Sequence, residues 1–337
     1  GQATALKTLA LDDNKLEGDM MVLNPLRNLE FLYLDNNELT GTVDEDFLRP
    51  MSSLVHLDLS SNILTGKLSH APHFFTMSAL KVLDLHDNDL TGSMFDGDLT
   101  EDNEVLEYLS VYDNVIEGTL PQTIFHLKKI KHLDVTGNEL VGRIPDTFPS
   151  MTDLSYLFLS NNAWDEGPFP EDLSTCTNLR ELSLSTSSRT GTIPKWIDQL
   201  ENLVLLDLSI NKFGGTIPDN LWDIPNLHYV LLNRNDLTGI IPSAMHNAPS
   251  LNMVMLDKND LQGDLSQHCS MPQLQFMSSD CEGNDPEVKC SCCHLCCRDD
   301  DPNCNDNIMY ANLDLQWEQN YTRMSYAFSP GIIFDNQ

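Results

Sequence analysis

Residues 203–218 read Leu203-Val-Leu-Leu-Asp-Leu-Ser-Ile-Asn-Lys-Phe-Gly-Gly-Thr-Ile-Pro218. Leu206 and Leu208 alternate about Asp207, the period of a short strand that buries one face. Asn211 follows at the point where the chain must turn away. Its carboxamide both donates and accepts, so it can satisfy turn backbone groups that a buried bend would orphan. Gly215 permits a tight bend or a positive φ. Pro218 ends regular hydrogen bonding.

The same frame recurs along the chain. Its asparagine slot holds Asn14, Asn37, Asn62, Asn88, Asn114, Asn138, Asn162, Asn211, Asn235 and Asn259, with Ser187 in the place between Asn162 and Asn211. The steps run from 23 to 26 residues, which makes eleven repeats. Met271, Leu274 and Phe276 start a truncated twelfth. One such coil cannot bury its apolar face alone, so coils must stack and share a core. Residues 1–280 are expected to form this array, 281–304 a cysteine-rich cap, and 305–337 a tail. Because the chain opens inside a repeat, an N-terminal cap and a targeting segment are expected upstream.

The frame Leu-x-x-Leu-x-Leu-x-x-Asn-x-Leu-x-Gly-x-Ile-Pro resembles the plant-type leucine-rich-repeat family. Gly118-Thr-Leu-Pro121, Gly142-Arg-Ile-Pro145, Gly191-Thr-Ile-Pro194, Gly215-Thr-Ile-Pro218 and Gly239-Ile-Ile-Pro242 carry it, and the likeness covers about residues 6–278. It is similar to the ectodomains of plant receptor-like kinases and receptor-like proteins and to polygalacturonase-inhibiting proteins. The resemblance implies an α/β repeat solenoid: a right-handed horseshoe with a parallel β-sheet on its concave face, which binds proteins, peptides or glycans. Some repeats depart from the frame. Gly41-Thr-Val, Gly66-Lys-Leu and Gly92-Ser-Met lack the proline, and His70–Phe75 and Phe95–Asn103 are insertions. Trp164-Asp-Glu-Gly167 has an extra residue, while Ser187 and Arg189 replace the Asn and the Leu. A tolerated structural defect is the simplest reading of this last pair, with a bend or a binding feature as alternatives.

Asp and Glu total 51 against 19 Lys and Arg, a formal charge of −32. Such a surface repels nucleic acid and anionic lipid. No run of 18 apolar residues exists to span a membrane. Cys269, Cys281, Cys290, Cys292, Cys293, Cys296, Cys297 and Cys304 crowd into 36 residues. That density suggests a disulfide framework and an oxidising, extracellular or cell-surface compartment. Cys293-x-x-Cys296, with His294 inside it, also has zinc-ligand spacing. The cap is similar to the cysteine-rich ends of secreted algal leucine-rich-repeat proteins. Cys176 stands apart in Cys-Thr-Asn-Leu and reads as a buried free thiol. Asn320-Tyr-Thr322 is a glycosylation sequon, which places Asn320 on a surface if it is used.

The outward positions flank the inward leucines. The slot between the two leucines runs Ala10, Tyr33, Asp58, Asp84, Ser110, Asp134, Phe158, Ser183, Asp207, Leu231 and Met255, and the slot before them runs from Thr8 and Phe31 to Tyr229 and Met253. Leu-Asp-Leu-Ser is the default of this family, so Asp58, Asp134 and Asp207 carry little information. The departures say more. Phe31 with Tyr33, Tyr108 with Tyr112, Tyr156 with Phe158, and Tyr229 with Leu231 place large apolar groups where water is expected. Rings on a rigid exposed face act as interface anchors and as stacking platforms for sugars. The alternative is cross-strand packing within the sheet. His56 joins this candidate set. His56, His86 and His132 also lie near Asp58, Asp84 and Asp134, an arrangement open to a metal or a proton switch.

No phosphate-binding glycine loop, metalloprotease motif or nucleophile elbow occurs. The expected function is therefore a non-catalytic extracellular binding scaffold for a protein, peptide or glycan. A structural component that self-assembles through its tail and an inhibitor of a wall-degrading enzyme are the alternatives. No cofactor is expected. Calcium takes carboxylate oxygens, and the insertion containing Asp96, Asp98, Glu101, Asp102 and Glu104 is the better place for it than the face.

Overall fold

The computed structural model describes residues 5–70, 77–94, 105–121, 124, 127–144, 148, 151–283 and 286–298. Both insertions apart from His70, together with Cys304 and the tail with Asn320, lie outside them.

Each repeat contributes one three-residue strand, and thirteen strands form a single parallel sheet in strict chain order from Thr8–Ala10 to Leu295–Cys296. Register is exact from rung to rung: Leu32 pairs Leu57, which pairs Leu83. The central leucines point inward and are fully buried, Leu57, Leu133 and Leu206 among them. Eleven strands come from the regular repeats and the twelfth, Phe276–Ser279, from the truncated one. The thirteenth comes from within the cysteine-rich segment, which thus extends the sheet by one strand.

Behind the sheet each coil makes a second, shorter strand and in most repeats a 3₁₀ turn. Glu171–Thr175, Lys195–Gln199, Asp219–Asp223 and Ser243–Asn247 each follow a proline, the residue that pre-sets φ and donates nothing to the ladder. A small rotation from each coil to the next curves such an array, and the long sheet lines its concave face.

The turn asparagines form a ladder. Asn88 Nδ2 donates to the carbonyls of Leu85, His86 and, in the preceding coil, Leu59, while its Oδ1 accepts from Leu64 N. Asn235 repeats the pattern on Leu208, Leu232 and Phe213. The residue before each slot turns through positive φ, even where it is Ile210 (φ 54°). Gly215 has φ 72°, and a Cβ there would meet Thr192 Cγ2 at 3.0 Å. Both facts forbid a larger residue.

The irregular repeats divide the array. The convex strands form one five-stranded sheet that ends at Ala163–Trp164 and another that starts at Thr190–Thr192, with an isolated Gly167–Arg189 bridge between them. The long sheet runs through unbroken. Ser187 Oγ donates to Leu184 O, one of the carbonyls an asparagine would satisfy, but is too short to span to the preceding coil. Trp164 Nε1 instead donates to Leu159 O at 2.7 Å. Arg189, buried at 2% exposure, donates to the carbonyls of Ser187, Pro168 and Asp165. Gly167 gives the guanidinium room, since a Cβ would lie 2.8 Å from Arg189 Nη1. The departure is thus a compensated defect, and its extra residue is part of the compensation.

Candidate functional site

The long sheet presents its outward columns as one continuous face, with rungs roughly 4.8 Å apart. Asp58, Asp84, Ser110, Asp134 and Phe158 are in register on successive strands. His56, Val82, Tyr108, His132 and Tyr156 run beside them.

The histidines sit between the aromatic rings and stack on them. Tyr108 and His132 lie 4.2 Å apart at 16°, and His86 and Tyr112 lie 4.2 Å apart at 10°. His132 also contacts Tyr156 and Phe158, each at 5.6 Å, and Tyr33 lies 4.6 Å from His56. The rings are therefore less available than the sequence suggests. Phe158 is 3% and Tyr156 7% exposed, and Leu231 is equally buried, whereas Phe31, Tyr33, Tyr108, Tyr112 and Tyr229 remain half-buried. Cross-strand packing accounts for the first group.

The carboxylates split into structural and electrostatic roles. Asp58 accepts from Ser60 N and Oγ, Asp134 from Thr136 N, and Asp207 from Ser209 N and Oγ. Each so pins the exit of its own strand. Burial, and behind it Asp84 and Asp35, pushes Asp58 up to about 8, and burial pushes Asp134 up to about 7. Asp84 differs: it accepts from His86 Nδ1 at 2.6 Å and from Tyr108 OH at 3.0 Å. Burial opposes its ionisation, but the His86 charge outweighs burial and holds Asp84 low. The same pairing overcomes burial at His86 and raises it. His56 and His132 lack such a partner, and burial lowers both to about 4. Among the described residues, His56 Nδ1 and Ser110 Oγ are buried without a hydrogen-bond partner.

Past Glu181, which burial raises to about 8, the face changes character. Leu205, Leu231, Met253, Met255 and Phe276 form an apolar cluster separate from the interior core. Of these, sequence reasoning singled out only Leu231 as a contact residue. The signal was present: each occupies an outward slot without the usual polar residue.

At the C-terminal end Cys269 bonds Cys292, Cys281 bonds Cys296, and Cys290 bonds Cys293. Cys297 is also disulfide-bonded. The Sγ atoms of Cys281, Cys290 and Cys293 lie within 4.8 Å of one another because two of these bridges pack together. Cys293 and Cys296, which have zinc-ligand spacing, belong to different bridges. Cys176 is a buried free thiol, raised to about 11 by burial. Among the described residues no helix is long and apolar enough to cross a membrane.

Sheet, asparagine ladder and stacked coils define a leucine-rich-repeat solenoid. The Leucine Rich Repeat family model matches residues 28–49, 53–75, 129–151 and 202–224. The chain is similar to Receptor like protein 24 of Arabidopsis thaliana, 27% identical over 193 residues, which is 57% of this chain and 19% of that protein. Among solved structures it is similar to PEPR1 in the PEPR1-AtPEP1 complex, at 29% identity and a TM-score of 0.72 over 85% of this chain and 38% of that one. It is also similar to the plant peptide hormone receptor RGFR1 in complex with RGF2, at 30% identity and a TM-score of 0.72 over 81% of this chain and 44% of that one. The chain spans less than half the length of each of these three. The matched repeats and these relatives support the resemblance to the plant-type leucine-rich-repeat family.

Proposed function

We propose that this solenoid is a non-catalytic, extracellular or cell-surface scaffold that binds a peptide laid across the rungs of its concave face. The observation that carries the reading is the composition of that face. Half-buried Tyr33, Tyr108, Tyr112 and Tyr229 stand among carboxylates and imidazoles on a rigid sheet. Such rings offer large contact area at low entropic cost. The solved relatives that are peptide complexes support a peptide over a glycan. The disulfides support an oxidising compartment.

Panning a random peptide library against the full chain supplies the ligand for the test. Tyr33, Tyr112 and Tyr229 are then changed together to Ser, positions exposed enough to spare the core. The selected peptide should bind the variant at least tenfold more weakly by calorimetry, with the thermal midpoint little changed. Unaltered affinity overturns the reading.

A further inference from the structure

The outward columns between Thr8 and Phe158 contain no lysine or arginine. Lys7, Lys81 and Lys131 stand at the entrances of their strands and pair there with Glu30 and Glu107. Over the first three rungs the aspartates of the face gather around one ring. Tyr33 pairs Ala10 on one side and Asp58 on the other. Past the strand the ladder continues, with Leu11 N donating to Tyr33 O and Asp13 N to Asp35 O, and so sets Asp12 beside Asp35. Burial, and behind it the carboxylates of Asp58, Asp12 and Asp35, pushes the Tyr33 hydroxyl up to about 12. Burial, and behind it Asp12, pushes Asp35 up to about 6. Among the described residues none of these three aspartates makes an ion pair.

His56 supplies an independent observation. It is 3% exposed, its ring lies 4.6 Å from Tyr33, and its Nδ1 has no hydrogen-bond partner among the described residues. Burial keeps the ring neutral at neutral pH, and the tautomer that carries its proton on Nε2 presents Nδ1 as an acceptor. An unmet buried acceptor is costly, and a donor brought in by a ligand removes the cost. Asp58 has capacity of the same kind, since both bonds from Ser60 end on its Oδ1.

Crowded carboxylates resist ionisation, and a cation bound among them relieves the repulsion. The Tyr33 ring adds a π face for that cation. Among the described residues no three of these groups bring ligand atoms within 4.8 Å of one another, a spread too wide for a bare metal ion. A guanidinium fits it better: it is flat enough to stack on a ring, and its five donors form a fixed fork that suits carboxylates.

We propose that the Tyr33 ring, the carboxylates of Asp12, Asp35 and Asp58, and His56 Nδ1 form a subsite for an arginine side chain. The guanidinium stacks on Tyr33 and pairs with Asp12 and Asp35, while its inner edge donates to Asp58 Oδ2 and His56 Nδ1. A rotation of the half-buried Tyr33 side chain, of a kind common at interfaces on binding, admits it. That the arginine belongs to a peptide rests on the peptide-binding reading, whereas the subsite itself does not.

The test uses the full chain and two small probes, N-acetyl-arginine amide and its neutral citrulline counterpart, titrated by saturation-transfer NMR. The arginine probe should bind saturably and the citrulline probe at least tenfold more weakly. Changing Asp12 and Asp35 together to Asn should weaken the arginine probe at least tenfold, with the thermal midpoint unchanged or raised. Changing Asp236 and Asp260 on the convex strands to Asn removes the same charge and should leave the probe's affinity unaltered. Equal binding of the two probes, no saturable binding of arginine, or equal losses in the two double variants overturns the proposal, the last by assigning the attraction to bulk charge. The two readings fail separately. A missing arginine subsite leaves the selected peptide still sensitive to the Tyr33, Tyr112 and Tyr229 changes, and a failed peptide reading leaves the arginine probe still sensitive to Asp12 and Asp35.

Discussion

The two halves of the solenoid share one sheet and one ladder yet differ in what they show to the groove. From Tyr33 to Phe158 the outward columns hold stacked Tyr–His pairs and buried carboxylates. From Leu205 to Phe276 they hold an apolar strip. The seam is the irregular repeat, where Glu181 faces the groove and Arg189 repairs the backbone behind it. The interior stays apolar and fully buried across the seam, with Val230, Val254 and Met277 in place of leucine, so the fold places no demand on this difference. What varies is the surface that the fold leaves free.

The seam offers the largest effect. Arg189→Met nearly keeps the volume and removes three donors, one from the buried Ser187 carbonyl and two from the part-buried carbonyls of Asp165 and Pro168. An unmet buried polar group costs about 1–3 kcal/mol. The variant should lose about 3 kcal/mol in urea denaturation, and a second transition should appear as the halves uncouple. A single unshifted transition contradicts the repair role.

Next comes Glu181→Gln, at the border of the two surfaces. The folded-state pKa of Glu181 is raised, so folding favours its protonated form. Its cost is absent below the ordinary carboxylate value, grows as pH rises, and is complete above about 8. The variant should therefore be more stable than the parent by on the order of 2 kcal/mol at pH 8.5 and unchanged at pH 4. Asp58 and Asp134 add losses of the same sign over the same window. His56 and His132, which are lowered, act the other way and cost stability as pH falls from about 6.5 toward 4. Thermal midpoints across pH 4–9 should accordingly fall at both ends, and a flat profile contradicts the burial of these groups.

The smallest effect tests the shared scaffold. Ile210 is β-branched at φ 54° and 45% exposed. Left-handed backbone costs such a residue about 1–2 kcal/mol, and Asn tolerates it. Ile210→Asn should stabilise the protein by about 1 kcal/mol without altering either surface.

The repeat was legible in the sequence because each slot answers a local backbone demand, and eleven copies of one demand leave no ambiguity. The register, the inward leucines, the asparagine ladder and the glycine bends all follow from it. The face was legible only as positions. Sequence order names Tyr108 and His132 as neighbours, but it does not say that the rings stack and hide each other. Nor does it say that Asp84 pairs with His86 while Asp58, one rung away, is held by Ser60. Those outcomes depend on rotamers and burial across three rungs. Arg189 shows the same limit: it read as a lost leucine, and only packing reveals Trp164, Gly167 and Arg189 as one repair.

The most direct test of the account is where a selected peptide lies. Peptides from the library are fitted with a photoreactive phenylalanine analogue, cross-linked to the full chain, and the adducts mapped by mass spectrometry. The account predicts adducts on outward residues of the concave strands, spread over several consecutive rungs around Tyr33, Tyr112 and Tyr229. Adducts confined to the convex surface, around Val22 or Ile240, would contradict it.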